Sequence, residues 1–364
     1  MSDRGGASRP GVRPADAVPA PERPAAPPRY PALDAMRGAA AIGVMLYHLG
    51  IASRHPQLAP FGFLAVDLFF MMSGFVMTRA YEPRLRQGLS VRAFVGIRVG
   101  RIYPMLLAGV LIGACVAMAR GEATGVGAAV ARSLLLLPDL RADQLFPLNP
   151  VLWSLFYELA ANLLHALLAP HLTTRRVAVA TLVAGAAFAA AIAHYHGAGL
   201  GWGAASFVAG FARVGWGYLV GMLLARVHVP ISRSSSTVLI VAGLALLAAP
   251  AVGFTSARVA VTLFCAFPLA LLGAIQAPRA RSTWMSSRLG ELSYPLYAIH
   301  QPLLAGAAAF RLSPGQWGLL AVALVVATAA AGRFVDAPAQ ARLRRLLTRG
   351  ARHASRSAPP PSFG

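Results

Sequence analysis

Apolar runs about 20 residues long recur along most of this chain, and that pattern constrains the fold more than any single motif. A helix rises about 1.5 Å per residue, so each run matches the roughly 30 Å hydrocarbon core of a bilayer. The runs fall at 34–52, 61–79, 99–119, 150–169, 177–195, 204–225, 236–252, 257–276, 290–309 and 315–335. The boundary between the seventh and eighth, around Pro250 and Gly253, is the least sharply marked. Inside lipid only helices and closed barrels satisfy every backbone N–H and C=O, and the alternating ten-residue strands of a barrel are missing from the pattern. The expected fold is an all-α integral membrane protein, a polytopic bundle of about ten transmembrane helices. With 57% of residues apolar and 12% charged, the composition agrees.

A formal net charge of +21 raises the question of a nucleic-acid partner, and the distribution of that charge argues against one. The cationic side chains are all arginine, and they segregate. If the N-terminus is cytoplasmic, alternate loops and both tails on that side take nearly all of them. The opposite loops hold only Arg54, Arg120, Arg132, Arg141, Arg258 and Arg311. This is the positive-inside pattern, with both termini cytoplasmic. Residues 1–30, rich in Pro, Ala, Gly and Arg and lacking an apolar signal core, read as a disordered cytoplasmic tail. The membrane domain then covers 31–338, and 339–364 form a second, basic cytoplasmic tail. Cys115 and Cys265 lie in apolar runs and are expected as buried core thiols, not as a disulfide or a metal pair. Neither a phosphate-binding glycine loop nor a Cys/His ligand cluster is present, so no metal and no permanently bound cofactor is expected. The segment VGAAVARSLLLLP, in the long connection 120–149, is too short to span and suits an interfacial helix.

What membrane insertion does not explain is polar chemistry at depth. Ionisable residues within spans are costly and default to functional candidates. His48 lies toward the outer end of the first run and Asp67 just below the outer edge of the second. Glu158 is two turns into the fourth, Arg213 two to three turns into the sixth, and His300 halfway along the ninth. All five fall between the midplane and the outer third, as one polar cavity lined by several helices would require. Each residue also has a structural explanation. Asp67 and Glu158 suit neutralisation of Arg213 within a packing network, and His300, next to Gln301 and Pro302, suits a local hydrogen bond. Ser73 beside Gly74 suits close helix contact. Arg37, separated from His48 by ten intervening residues and about 16 Å from it along the axis, suits lipid phosphate.

Taken in order, however, these segments form a recognisable series. LDAMRGAAAIGVMLYH, VDLFFMMSGFVM, RVGRIYPMLLAG, NPVLWSLFYEL, LGELSYPLYAIHQPLL and GRFVDAP follow one another between residues 31 and 338. In wording and sequence order the chain resembles acyltransferase family 3, the integral-membrane acyltransferases that commonly O-acylate carbohydrates. Departures are small: Asp336 stands where Glu is common, and Ala35 and Met36 occupy a stretch usually rich in Gly and Leu.

The resemblance implies transfer of an acyl group, usually acetyl from cytoplasmic acetyl-CoA, to an acceptor hydroxyl in a bacterial cytoplasmic membrane. It also implies that Arg37 and His48 are required. Physical chemistry makes sense of both. CoA is a polyanion, and Arg37, Arg98 and Arg101 at the inner face suit its phosphates as cofactor-site ligands. Imidazole changes charge near neutral pH, so His48 is the candidate general base for the hydroxyl. A carboxylate, Asp67 or Glu158, is expected to orient it. Ser73, Ser154, Tyr157, Arg213 and His300 are candidates to polarise the oxyanion or contact substrate. The acceptor is expected to be a carbohydrate or glycoconjugate, with membrane lipids as the other partner. Two alternatives stay open at this stage. One is a proton-coupled exporter of a small solute or glycan using the same buried groups; the other is a scaffold with degenerate catalysis.

Overall fold

The computed structural model describes residues 30–227, 229, 232–248, 256–277 and 284–342. The expected tails therefore lie outside the described residues, apart from Tyr30 and residues 339–342, which are helical. The Pro250–Gly253 boundary also lies outside them, as do Arg279 and Arg281, two of the arginines expected in the cytoplasmic loops.

Helices make up the bundle in the order α1 (Pro31–Ala52), α2 (Ala65–Ala80), α3 (Glu82–Arg86), α4 (Val91–Ala119), α5 (Val126–Leu134), α6 (Leu152–Leu168) and α7 (Thr174–Tyr195). They continue with α8 (Phe207–Arg226), α9 (Arg233–Ala248), α10 (Ser256–Val261), α11 (Phe267–Gln276), α12 (Trp284–Ala307) and α13 (Pro314–Ala331). One π-helical turn, Thr262–Ala266, joins α10 to α11, and another, Gly332–Asp336, follows α13. Among the described residues, eight stretches are long and apolar enough to cross a membrane: Pro31–Ala52, Gly62–Ala80, Val91–Ala119, Leu152–His171, Thr174–Tyr195, Ala204–Arg226, Ala257–Gln276 and Pro314–Arg342. The two other expected spans coincide with α9, described over 16 residues, and with α12, whose apolar character is diluted by polar side chains. Large apolar side chains face outward, including Val208 at 79% exposure and Leu182 at 72%. An outer surface of this kind is stable in lipid and not in water, so the chain is a multi-pass membrane protein.

The same outward face corrects the expectation for the cysteines. Cys115 and Cys265 are free and exposed on the outside of the bundle. A membrane helix is apolar all round, so an apolar neighbourhood in sequence does not say which residues point inward. The α5 helix, with nine residues, is too short to span, as expected for VGAAVARSLLLLP. By contrast, α4 starts eight residues before the apolar run, capped by the Ser90 hydroxyl accepting from the Ala93 N–H at 3.2 Å. That extension carries Arg92 and Arg98 onto rigid helix.

Close packing is achieved where α2 crosses α8. A Cβ on Gly74 would stand 1.9 Å from the Tyr218 carbonyl oxygen, and one on Gly221 would stand 1.8 Å from that of Met71. Only hydrogen fits at either position, which brings the two backbones together. In α12, Pro302 lacks an N–H, leaving the Ala298 carbonyl without its helical donor. The Asn149 amide, 0% exposed, donates to that oxygen at 2.8 Å and so ties the start of α6 to α12.

At the arginine-rich end, Glu82 gathers three elements. It accepts from Arg86 at 2.6 Å, from Arg226 on α8, and from His165 Nε2 on α6 at 3.3 Å. Burial pushes the Glu82 carboxyl up, but the hydrogen bond from His165 and the charges of Arg226 and Arg86 outweigh it and hold the group below its ordinary value. A carboxyl depressed in the folded state binds fewer protons there than in the unfolded chain. Its stabilisation is therefore complete above its usual pKa of 4.5 and is lost as pH falls through the folded value. Glu82→Gln is expected to melt about 5 °C or more below wild type near neutral pH, with a shallower loss of stability between roughly pH 5 and 3. An acid limb of unchanged slope in the variant would assign that sensitivity to other groups.

Candidate functional site

Five helices build the central cavity. Arg37 comes from the start of α1, Arg98 and Arg101 from the early turns of α4, Ser73 from α2, and Ser154 and Glu158 from α6. α12 contributes Ser293, Tyr294 and Tyr297. The space measures about 90 Å³ by a water-sized sphere, room for several waters but narrow. Three guanidinium groups share this space with one carboxylate. Glu158 Oε1 accepts from Arg98 Nη2 at 2.9 Å and from the Ser73 hydroxyl at 2.8 Å. Arg98 is 6% exposed and its Nε has no partner among the described residues, an unmet donor in a cationic cavity. Arg37 stands 3.9 Å from Asp34.

The rings of Phe69 and Tyr297, whose centroids are 5.5 Å apart, also line the cavity. The Tyr297 hydroxyl is held there by the Ser154 hydroxyl at 2.6 Å, and the Ser154 hydroxyl also donates to the Val151 carbonyl at 3.0 Å. Beyond Tyr297 lies the fully buried ring of His300, 6.0 Å away between centroids. Its Nε2 is 3.1 Å from Nδ1 of His48, which is half-buried on α1. Thus a row of polar groups runs from Arg37, at one end of α1, to His48 near the other.

Asp67 and Arg213 form a separate pair. Arg213 donates from Nε to Asp67 Oδ1 at 3.0 Å and from Nη2 to Oδ2 at 2.8 Å, a two-pronged ion pair between α2 and α8. Its remaining donors reach the carbonyls of Leu200 at 3.2 Å and Phe63 at 3.4 Å, and the guanidinium lies over the Trp153 ring. Both residues are essentially inaccessible, at 0% and 1%. Tyr157, buried nearby, donates its hydroxyl to the Phe207 carbonyl at 2.6 Å and does not line the cavity.

The expected carboxylate partner of His48 is thereby replaced. Among the described residues neither Asp67 nor Glu158 contacts it, because each is engaged by its own arginine, and the partner of His48 is His300. Ser73 bonds Glu158, while the close helix contact belongs to Gly74. Ser154 acts on Tyr297. The residues that sequence reasoning passed over are Phe69, Ser293, Tyr294 and Tyr297. A signal for Tyr297 existed: Ser293, Tyr297 and His300 are spaced i, i+4, i+7 along α12 and therefore share one face.

Comparison with known proteins bears on this arrangement. Residues 30–332 match a family model described as an acyltransferase domain. The chain is 33% identical over 162 residues to "Protein 2 in picA locus" of Rhizobium radiobacter, covering 38% of this chain and 82% of that protein. It is 37% identical over 83 residues to the O-acetyltransferase OatA of Staphylococcus aureus, covering 22% of this chain and 13% of OatA. The match therefore reaches only a small part of that longer relative. No solved structure matches the chain.

Proposed function

The chain belongs to acyltransferase family 3 and is a membrane O-acyltransferase, and from that premise we propose that it moves an acyl group, most simply acetyl, from acyl-CoA to a hydroxyl of a carbohydrate or glycoconjugate. One observation carries the reading. Arg37, Arg98 and Arg101 converge on a narrow cavity that Tyr297 also lines, and Tyr297 adjoins the His48–His300 pair. Guanidinium groups suit phosphates, and the unmet Arg98 Nε fits a polyanionic ligand. The arginine-rich end faces the cytoplasm of a bacterial cell, both termini lie there, and the membrane is the inner one. Acyl-CoA docks at that end, and its slender pantetheine arm carries the thioester along the cavity. For the thioester to reach His48, Tyr297 turns aside and exchanges its bond to Ser154.

The chemistry that follows is direct transfer. The acceptor, entering from the other side of the membrane, presents its hydroxyl to His48, which takes the proton as the oxygen attacks the thioester carbonyl. The tetrahedral intermediate collapses, the C–S bond breaks, and the imidazolium returns the proton to the departing CoA sulfur. The Ser154 and Tyr297 hydroxyls, freed from each other, are placed to donate to the oxyanion. Glu158, held by Arg98 and Ser73, shapes the entry to the cavity and is not a proton acceptor for the substrate.

Two measurements test this. Purified protein in lipid nanodiscs is expected to release thiol from acetyl-CoA only when a cell-envelope glycan fraction is present. Absence of release with acetyl- and longer acyl-CoA from folded protein would overturn the reading in favour of a proton-coupled exporter. Arg101→Gln is expected to raise KM for acetyl-CoA about tenfold, the value of one charged hydrogen bond, with kcat little changed. An unchanged KM would place CoA docking elsewhere.

A further inference from the structure

Beyond Tyr297, two imidazole rings from different helices lie 5.1 Å apart between centroids with their planes inclined at 51°, and the hydrogen positions on both follow from the neighbours. The Nδ1 of His300 lies 2.9 Å from the Leu296 carbonyl and 3.0 Å from that of Tyr297. Carbonyl oxygens only accept, so this nitrogen carries the hydrogen. A neutral imidazole has one N–H, which leaves His300 Nε2 as a bare lone pair, and that lone pair points at His48 Nδ1, 3.1 Å away. The same His48 Nδ1 is 3.1 Å from the Val44 carbonyl. Facing two acceptors, His48 Nδ1 carries its hydrogen, and Nε2 of His48 is the unprotonated nitrogen. A second hydrogen on His300 Nε2 would confront the one on His48, so His300 holds a single hydrogen, at Nδ1.

We propose that His300 is the positioning residue of the catalytic base: its Nε2 accepts the His48 Nδ1–H, fixing the ring and the tautomer that present a free His48 Nε2 to the acceptor hydroxyl. The inference rests on the transfer reading above and assigns a role usually given to a carboxylate. In this slab a carboxylate would bring an additional charge to be neutralised, and the two carboxylates that lie within apolar runs near it, Asp67 and Glu158, already have arginine partners. A buried, neutral imidazole avoids that cost. When His48 takes the proton at Nε2, its Nδ1–H bears positive charge and the bond to His300 becomes charge-assisted, so it strengthens as the transition state forms. His300 is in turn held by its own helix, because the Leu296 and Tyr297 carbonyls lie one turn below it.

The test joins a spectrum to a kinetic comparison. Nitrogen-15 spectra of histidine-labelled protein in nanodiscs, with the His48 signals assigned by their loss in His48→Gln, are expected to show an N–H at Nδ1 and an unprotonated Nε2. His300→Gln keeps an acceptor oxygen toward His48 and is expected to retain kcat within about threefold, whereas His300→Leu lowers kcat about 10²-fold at unchanged KM for acetyl-CoA. Two results overturn the proposal: a His48 spectrum with the hydrogen at Nε2, or a wild-type kcat in folded His300→Leu. A failure of the transfer reading shows itself differently, as no thiol release from wild type, and the spectrum still decides the tautomer in that case.

Discussion

His48→Gln is expected to lower glycan-dependent thiol release by about 10³-fold in protein that folds, inserts and binds acetyl-CoA as wild type does. The magnitude is that of a lost general base, commonly 10² to 10⁴. Binding should survive because the arginines proposed to meet CoA lie on the cavity wall, whereas His48 is not part of that lining and sits against His300, beyond Tyr297. The helix should survive as well, since Gln has good helix propensity and its amide still donates toward the Val44 carbonyl or His300. Single-turnover release together with a melting curve separates the two effects. If the variant kept more than a tenth of the wild-type rate, proton transfer would have to be assigned to another group.

The second large effect concerns Asp67, whose sequence position suggests a catalytic carboxylate and whose surroundings point to a structural one. Asp67→Asn leaves the Arg213 guanidinium, 1% exposed, without a counter-charge and with one amide oxygen in place of two carboxylate oxygens, beside the Leu200 and Phe63 carbonyls and the Trp153 ring. Breaking a buried pair by removing one partner costs about 3–5 kcal/mol, and the expected result is loss of most folded protein. Replacing both partners with apolar residues removes the stranded charge. Asp67→Leu combined with Arg213→Met is therefore expected to recover at least half of that stability, with kcat per folded molecule close to wild type. A double variant that folds well yet loses kcat about 10³-fold would show that Asp67 takes part in the chemistry. Thermal unfolding in detergent and thiol release, measured on the same preparation, decide between these.

Much of this was legible in the one-dimensional pattern because two of its signals report directly on depth. Run length says that a helix spans, and the position of a polar residue within the run says how far down it lies. His48, Asp67, Glu158, Arg213 and His300 were all recognisable as intramembrane groups for that reason. The early turns of α4 were less legible: Arg92 and Arg98 precede the apolar run, and only the Ser90 cap and the helix itself show that they belong to the same rigid rod. The lining residue Tyr297 was missed because a tyrosine in an apolar stretch looks like packing until its i+3 neighbour, His300, is known to matter.

The amino-acid sequence by itself determined the class of molecule, the family motifs in their order, and the position of each polar side chain along its own apolar run. Helix length and hydrophobic run length are local properties, so no tertiary information is needed to read them. Which groups touch was decided by the tertiary structure alone. Contact depends on the azimuth of each helix and on which helices become neighbours, and a run that is apolar all round carries almost no record of either. The fold places Asp67 against Arg213 and Glu158 against Arg98, and leaves His48 to His300, residues 252 positions apart in the chain.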